Sequence, residues 1–199
     1  ALLSNKIQVQ SGKGDVKING KEVEVKAEAG KGGGRLGQGG PAQNQAISFW
    51  SKLPSINKHF AELGGKYLGI ANALKYLDQD LPLNNAKAKN NRQKMLQTYF
   101  SPYFKNSNDI VKAFMQSDPR MAEKMYAAAN FENYKAIDQF SGILMINFAQ
   151  EKTTYFESGN DLIKMRDSGM LKSFGISFIP SRSRPPEIFA QLSMSSAKV

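Results

Sequence analysis

Gly14-Asp15-Val16-Lys17-Ile18-Asn19-Gly20-Lys21-Glu22-Val23-Glu24-Val25-Lys26 is the stretch that decides how this chain is read. Asn19-Gly20 stands between two runs that alternate polar and apolar residues. A two-residue type I′ turn needs φ > 0 at both central positions, which Asn and Gly tolerate best. With those two residues as the loop, the pairing follows by counting. Ile18 faces Lys21, Lys17 faces Glu22, Val16 faces Val23, Asp15 faces Glu24, and further out Lys13 faces Lys26. Strand side chains alternate between faces. Val16, Ile18, Val23 and Val25 therefore point to one side, read as core, and Lys13, Asp15, Lys17, Glu22, Glu24 and Lys26 to the other. Asp15 and Glu24 then stand opposite each other with Cβ atoms roughly 5 Å apart, where like charges repel. A divalent cation between them reverses the sign. Two carboxylates and the nearby Lys26 amine suit Mg²⁺-assisted attack of water on a phosphate. The same pattern also suits an ordinary solvated face, with Lys17 and Glu22 as an ion pair across the hairpin.

Composition narrows the chemistry. The 199 residues fit one domain, or one core with a helical insertion, and 41% apolar residues suffice for a real core. No apolar run approaches the roughly 18 residues that a membrane span needs. The absence of cysteine excludes disulfides, thiolate zinc sites and a Cys nucleophile. His59 is the only imidazole, and on a short amphipathic helix it reads as structural. Any metal must then sit on oxygen ligands, which favours Mg²⁺, Mn²⁺ or Ca²⁺. A net charge of +10 favours a polyanionic partner such as nucleic acid; a merely basic soluble protein has the same balance. The opening Ala1-Leu2-Leu3-Ser4 has no signal pattern and no Met. It reads as a processed product or a piece of a longer protein.

Outward from the hairpin, residues 5–9 read as a short strand or the end of a helix that starts upstream. Residues 30–40 form a glycine-rich loop carrying Lys31 and Arg35. It is not a Walker motif, because no Gly-Lys-Ser/Thr closes it; it is either a DNA clamp or a linker. Apolar spacing predicts helices over 43–53, 55–63, 66–78, 85–100, 108–117 and 119–138. Asp118-Pro119 is a strong start for the last of these. Lys87, Lys89, Arg92 and Lys94 read as a solvated helical face or, less often for such a run, a DNA-facing one. Strands follow at 143–148 and 153–157, then a short helix at 159–167, then strands at 171–179 and 187–194. The last two flank the basic loop 180–186 with Arg182 and Arg184. Residues 1–40 thus supply a hairpin and loop, 41–140 a helical block, and 141–199 the strands that complete one mixed sheet, all in a single domain over 1–199.

Gly14-Asp15-Val16, followed by Glu24-Val25-Lys26 after a short hairpin, resembles the PD-(D/E)xK nuclease superfamily, which includes many restriction endonucleases and Holliday-junction resolvases. The matching motif covers about fifteen residues. The resemblance implies an α/β, restriction endonuclease-like fold and Mg²⁺-dependent (or Mn²⁺-dependent) hydrolysis of DNA phosphodiesters. It implies metal ligation by Asp15, Glu24 and the Val25 carbonyl, with Lys26 assisting the attacking water. Lys13, Lys31, Arg35, Arg182 and Arg184 are then candidates for DNA contact. Gly14 stands where the family has Pro. Many members also carry an acid on a preceding helix, and Ala1 to Ser4 hold none. The C-terminal order of elements is loosely similar to domains in large bacteriophage proteins. A structural or DNA-packaging component of a phage particle, keeping the scaffold without turnover, is the second expectation. A basic nucleic-acid-binding module without enzyme ancestry is the third. The partners expected are DNA and, for an oligomer, further copies of the chain or a larger phage assembly. The expected setting is the host cytoplasm or the virion.

Overall fold

The structure, a computed structural model, describes residues 7–9, 14–27, 34–37, 52–63, 69–102, 104–179 and 187–194. Its elements run β1 (Ile7–Val9), β2 (Val16–Ile18), β3 (Lys21–Ala27), β4 (Gly34–Gly37), α1 (Pro54–Leu63), α2 (Ile70–Asp80), α3 (Ala86–Phe100), α4 (Ser107–Met115), α5 (Pro119–Asp138), β5 (Gly142–Asn147), β6 (Lys152–Phe156), α6 (Gly159–Asp167), β7 (Leu171–Ile179) and β8 (Glu187–Met194). The architecture is mixed α/β. The expected helix at 43–53 falls outside the described residues, except for Lys52 and Leu53 in the turn before α1. The loop 180–186 also falls outside them.

Local chemistry fixes the element boundaries. Asn85 caps α3 by accepting from the Ala88 amide at 3.0 Å. Asp118 caps α5, accepting from the amides of Arg120 and Met121 at 2.9 and 3.2 Å, with Pro119 in the first turn. Ser158 and Asp161 form a capping box at the start of α6. At the other end of α5, Gln139 turns left-handed (φ 57°), and β5 begins three residues later.

The larger sheet has the order β1-β2-β3-β5-β6. All its neighbours are antiparallel except β3 and β5, which run parallel with Glu24 beside Ile143 and Lys26 beside Met145. Parallel neighbours need a long crossover, and the helical block supplies it. This sheet is therefore built from both ends of the chain, as expected. Its completion differs from the expectation. Of the strands after the helical block only β5 and β6 join the hairpin's sheet, while β7 and β8 pair with each other in a second, three-stranded sheet of order β4-β8-β7. An antiparallel pair of that length offers an unpaired edge. Residues 34–37 of the expected glycine-rich loop occupy it, Arg35 opposite Gln191.

The faces of β3 also depart from the expectation. Val23 is buried, but Val16, Ile18 and Val25 are only partly so, whereas Glu24 is 8% exposed. The pleat sorts side chains into two sets; the neighbouring strand decides which set is covered. Paired residues share a face, so Glu24 and Lys26 lie beside the fully buried Ile143 and Met145 of β5. Helix α5 packs over this face. Its buried Phe131 meets Phe156 of β6 edge-on at 5.3 Å and Phe140 at 6.1 Å. Helix α5 also lies against β4, β7 and β8.

Arg92 is likewise not on the expected solvated face. It is fully buried and donates to Asp78, to the Phe114 carbonyl and, at 2.8 Å, to Ser117 Oγ, tying α2, α3 and the turn after α4. Lys87, Lys89 and Lys94 are exposed. His59 is buried with its Nδ1 2.8 Å from the Tyr76 hydroxyl, in keeping with a structural role. Replacing Phe131 with Ala should lower stability by about 3–5 kcal/mol through lost burial and the cavity left behind. Urea denaturation monitored by circular dichroism checks this.

Candidate active site

The hairpin has the register that counting gives. Val16 pairs with Val23, Lys17 with Glu22 and Ile18 with Lys21 around the Asn19-Gly20 turn, and both turn residues have positive φ. Lys17 and Glu22 form the cross-strand ion pair at 3.2 Å. The expected pairing of Asp15 with Glu24 is not formed: the ladder ends at Val16 and Val23, and the Asp15 amide donates instead to the Val23 carbonyl at 2.9 Å. Gly14 just before it has φ +71°. A Pro would hold φ near −65°, so the departure from the family motif is one of backbone shape as well as of residue.

Asp15 is exposed, and its Oδ2 accepts from the Val25 amide at 2.8 Å. That bond holds the carboxylate over the middle residue of Glu24-Val25-Lys26. Glu24 Oε1 accepts twice, from Lys26 Nζ at 2.5 Å and from the Tyr134 hydroxyl at 2.6 Å. Lys26 Nζ also lies 3.1 Å from the Tyr134 oxygen and 5.3 Å from its ring centroid. Glu24, Lys26 and Tyr134 thus close a triangle between β3 and α5. Burial, then the hydrogen bond to Glu24, raise the Tyr134 pKa well above its ordinary value, and the negative charges of Glu24, Asp138 and Asp15 add to this. The hydroxyl therefore stays protonated and remains a donor.

Each carboxylate is thus answered within the protein, Asp15 by a backbone amide and Glu24 by an ammonium and a phenol. Among the described residues, no hydrogen bond uses Asp15 Oδ1 or Glu24 Oε2. Those two hard oxygens suit Mg²⁺ or Mn²⁺ in kind. Among the described residues, no three acidic or imidazole side chains gather closely enough to hold an ion by themselves. Val25 is paired with Leu144 in the parallel ladder. Of the candidate DNA contacts, Arg35 sits on β4 with its side chain outside the described residues, and Lys13, Lys31, Arg182 and Arg184 lie wholly outside them.

Tyr134 was not legible as a site residue. It stands three positions after Phe131 on α5, a spacing that puts both on one helix face. Nothing in that spacing says which strand the face will meet. Compared with known proteins, the chain matches no family, no curated protein and no solved structure.

A Cβ on Gly14 would stand 2.9 Å from the Val23 carbonyl oxygen, at a φ that L-residues rarely adopt. Gly14→Ala should therefore cost about 1–3 kcal/mol, and it should shift the Asp15 and Val25 amide signals in a ¹H–¹⁵N spectrum more than those of the Asn19-Gly20 turn.

Proposed function

We propose that this chain is a metal-dependent DNA endonuclease of the PD-(D/E)xK type, on an α/β scaffold resembling the restriction endonuclease fold. The observation that carries this reading is the hairpin. Asp15, just before β2, is bonded through its carboxylate to the Val25 amide at 2.8 Å, and on either side of Val25 Lys26 is held 2.5 Å from Glu24. The parallel pairing of the hairpin with a strand from beyond the helical block is compatible with that scaffold.

Asp15, Glu24 and the Val25 carbonyl would hold Mg²⁺ or Mn²⁺. When bound, the ion supplies Lewis-acid charge and a more acidic water. The protein's own groups do the rest. The bond from the Val25 amide orients Asp15. Glu24 keeps the Lys26 ammonium beside the reacting centre, where it orients the attacking water or neutralises charge growing on the phosphate. The net charge of +10, with Lys13, Lys31, Arg35, Arg182 and Arg184, would draw and seat the DNA backbone. Among the described residues no helix is long and apolar enough to cross a membrane; the host cytoplasm or a virion is the setting this reading implies.

A second reading is a phage structural or DNA-packaging component that keeps the scaffold without turnover. It is favoured by the internal neutralisation of Glu24 and by the want of a third acid at the site among the described residues.

Supercoiled plasmid incubated with Mg²⁺ or Mn²⁺ should be nicked, and chelation should stop it. Lys26→Ala should slow nicking by about 100-fold or more, as loss of one preorganised charge-stabilising donor does. Intact plasmid in every lane would overturn the nuclease and favour the second reading.

A further inference from the structure

We propose that Tyr134, on α5, is a positioning residue of the hairpin site, holding Glu24 and Lys26 in the arrangement that a divalent cation requires. This rests on the nuclease reading above. Tyr134 is 110 positions from Glu24 in sequence, yet its hydroxyl both donates to Glu24 Oε1 at 2.6 Å and lies within 3.1 Å of Lys26 Nζ. A carboxylate on a strand turns freely about its last bond unless one oxygen is held. Here Oε1 is held from two directions, so the carboxylate plane is set and Oε2 is the oxygen left for an ion. The ring is itself fixed, standing edge-on to buried Phe140 at 5.0 Å. The hydroxyl thus acts from a rigid helix onto a strand. Residues that orient metal ligands in this way commonly matter about 10- to 100-fold in affinity.

Tyr134 also separates two tasks for Glu24. With the phenol on Oε1, the carboxylate can keep a partner there while Lys26 swings toward a phosphate. Without it, Lys26 is the sole described donor to that oxygen. It would then be drawn to remain with Glu24, and the free carboxylate would rotate.

Tyr134→Phe removes the hydroxyl and keeps the ring, its contact with Phe140 and the face beneath Lys26. Tyr155→Phe is the matched control, because Tyr155 makes the same kind of bond, to Glu157 Oε1 at 2.9 Å, outside the site. The test titrates Mn²⁺ into the full chain, following free Mn²⁺ by electron paramagnetic resonance, with thermal unfolding run in parallel. Asp15→Asn and Glu24→Gln should abolish binding, Tyr134→Phe should weaken it about 10-fold or more, and Tyr155→Phe should leave it unchanged. Tyr134→Phe should still be folded at the titration temperature. Wild-type affinity in Tyr134→Phe, or a loss that merely follows its unfolding, overturns the inference and leaves the nuclease reading standing. If the wild type binds no Mn²⁺, or Asp15→Asn and Glu24→Gln bind it as well as the wild type, the reading and the inference fall together.

Discussion

A carboxylate buried on a central strand must be satisfied by the protein itself, and most of the arrangement around the hairpin follows from that requirement. Moving a charge out of water is costly unless it is paired and hydrogen-bonded. Glu24 is on β3, in the middle strand of five, on the face that α5 covers. Lys26 two residues along and Tyr134 overhead supply the partners. Tyr134 can do so only if α5 is seated at the right height. The Phe131, Phe140 and Phe156 cluster seats it, and the left-handed Gln139 brings the chain down beside β3 without a long loop. Apolar packing and the polar triangle thus depend on each other.

Much of the local structure was legible from the sequence, because it is decided locally. The Asn19-Gly20 turn fixed the hairpin register to the residue. Asp118-Pro119 fixed the start of α5, and the limits of α6, β7 and β8 followed from their caps and apolar runs. What was not legible was decided by distant parts of the chain. Glu24 and Lys26 came to lie on a covered face because β5 pairs beside them and α5 packs above. Residues 34–37 became a strand because β8 offered an edge. Arg92, in a run of cations that reads as solvated, is buried because Asp78 and the Phe114 carbonyl converge on it. For the site, Asp15, Glu24 and Lys26 came from spacing, while Tyr134 needed the helix-to-strand packing to be known.

The second sheet gives α5 a place between two partners. The helix meets the mixed sheet through Phe131 and Tyr134, and it also lies against β4, β7 and β8. The chain leaves β3 just after Lys26 and next appears as β4 in that second sheet. Arg35 is carried on β4, which is paired with β8.

The parallel pairing of β3 with β5 also bears on how the molecule comes into being. Residues 23–27 cannot find their partner until residues 142–146 exist, so a growing chain must make the whole helical block before the hairpin is covered. Contacts so far apart in sequence are slow to form, because loop closure precedes any reward. Until then the hairpin shows an open edge, and β-edges left open invite pairing with other chains. The side chains on that waiting strand are Lys21, Glu22, Glu24 and Lys26, interleaved with Val23 and Val25. Charges of both signs on a strand edge oppose association with another copy. Glu24 and Lys26, covered by α5 in the finished protein, thus help guard the unfinished one against aggregation.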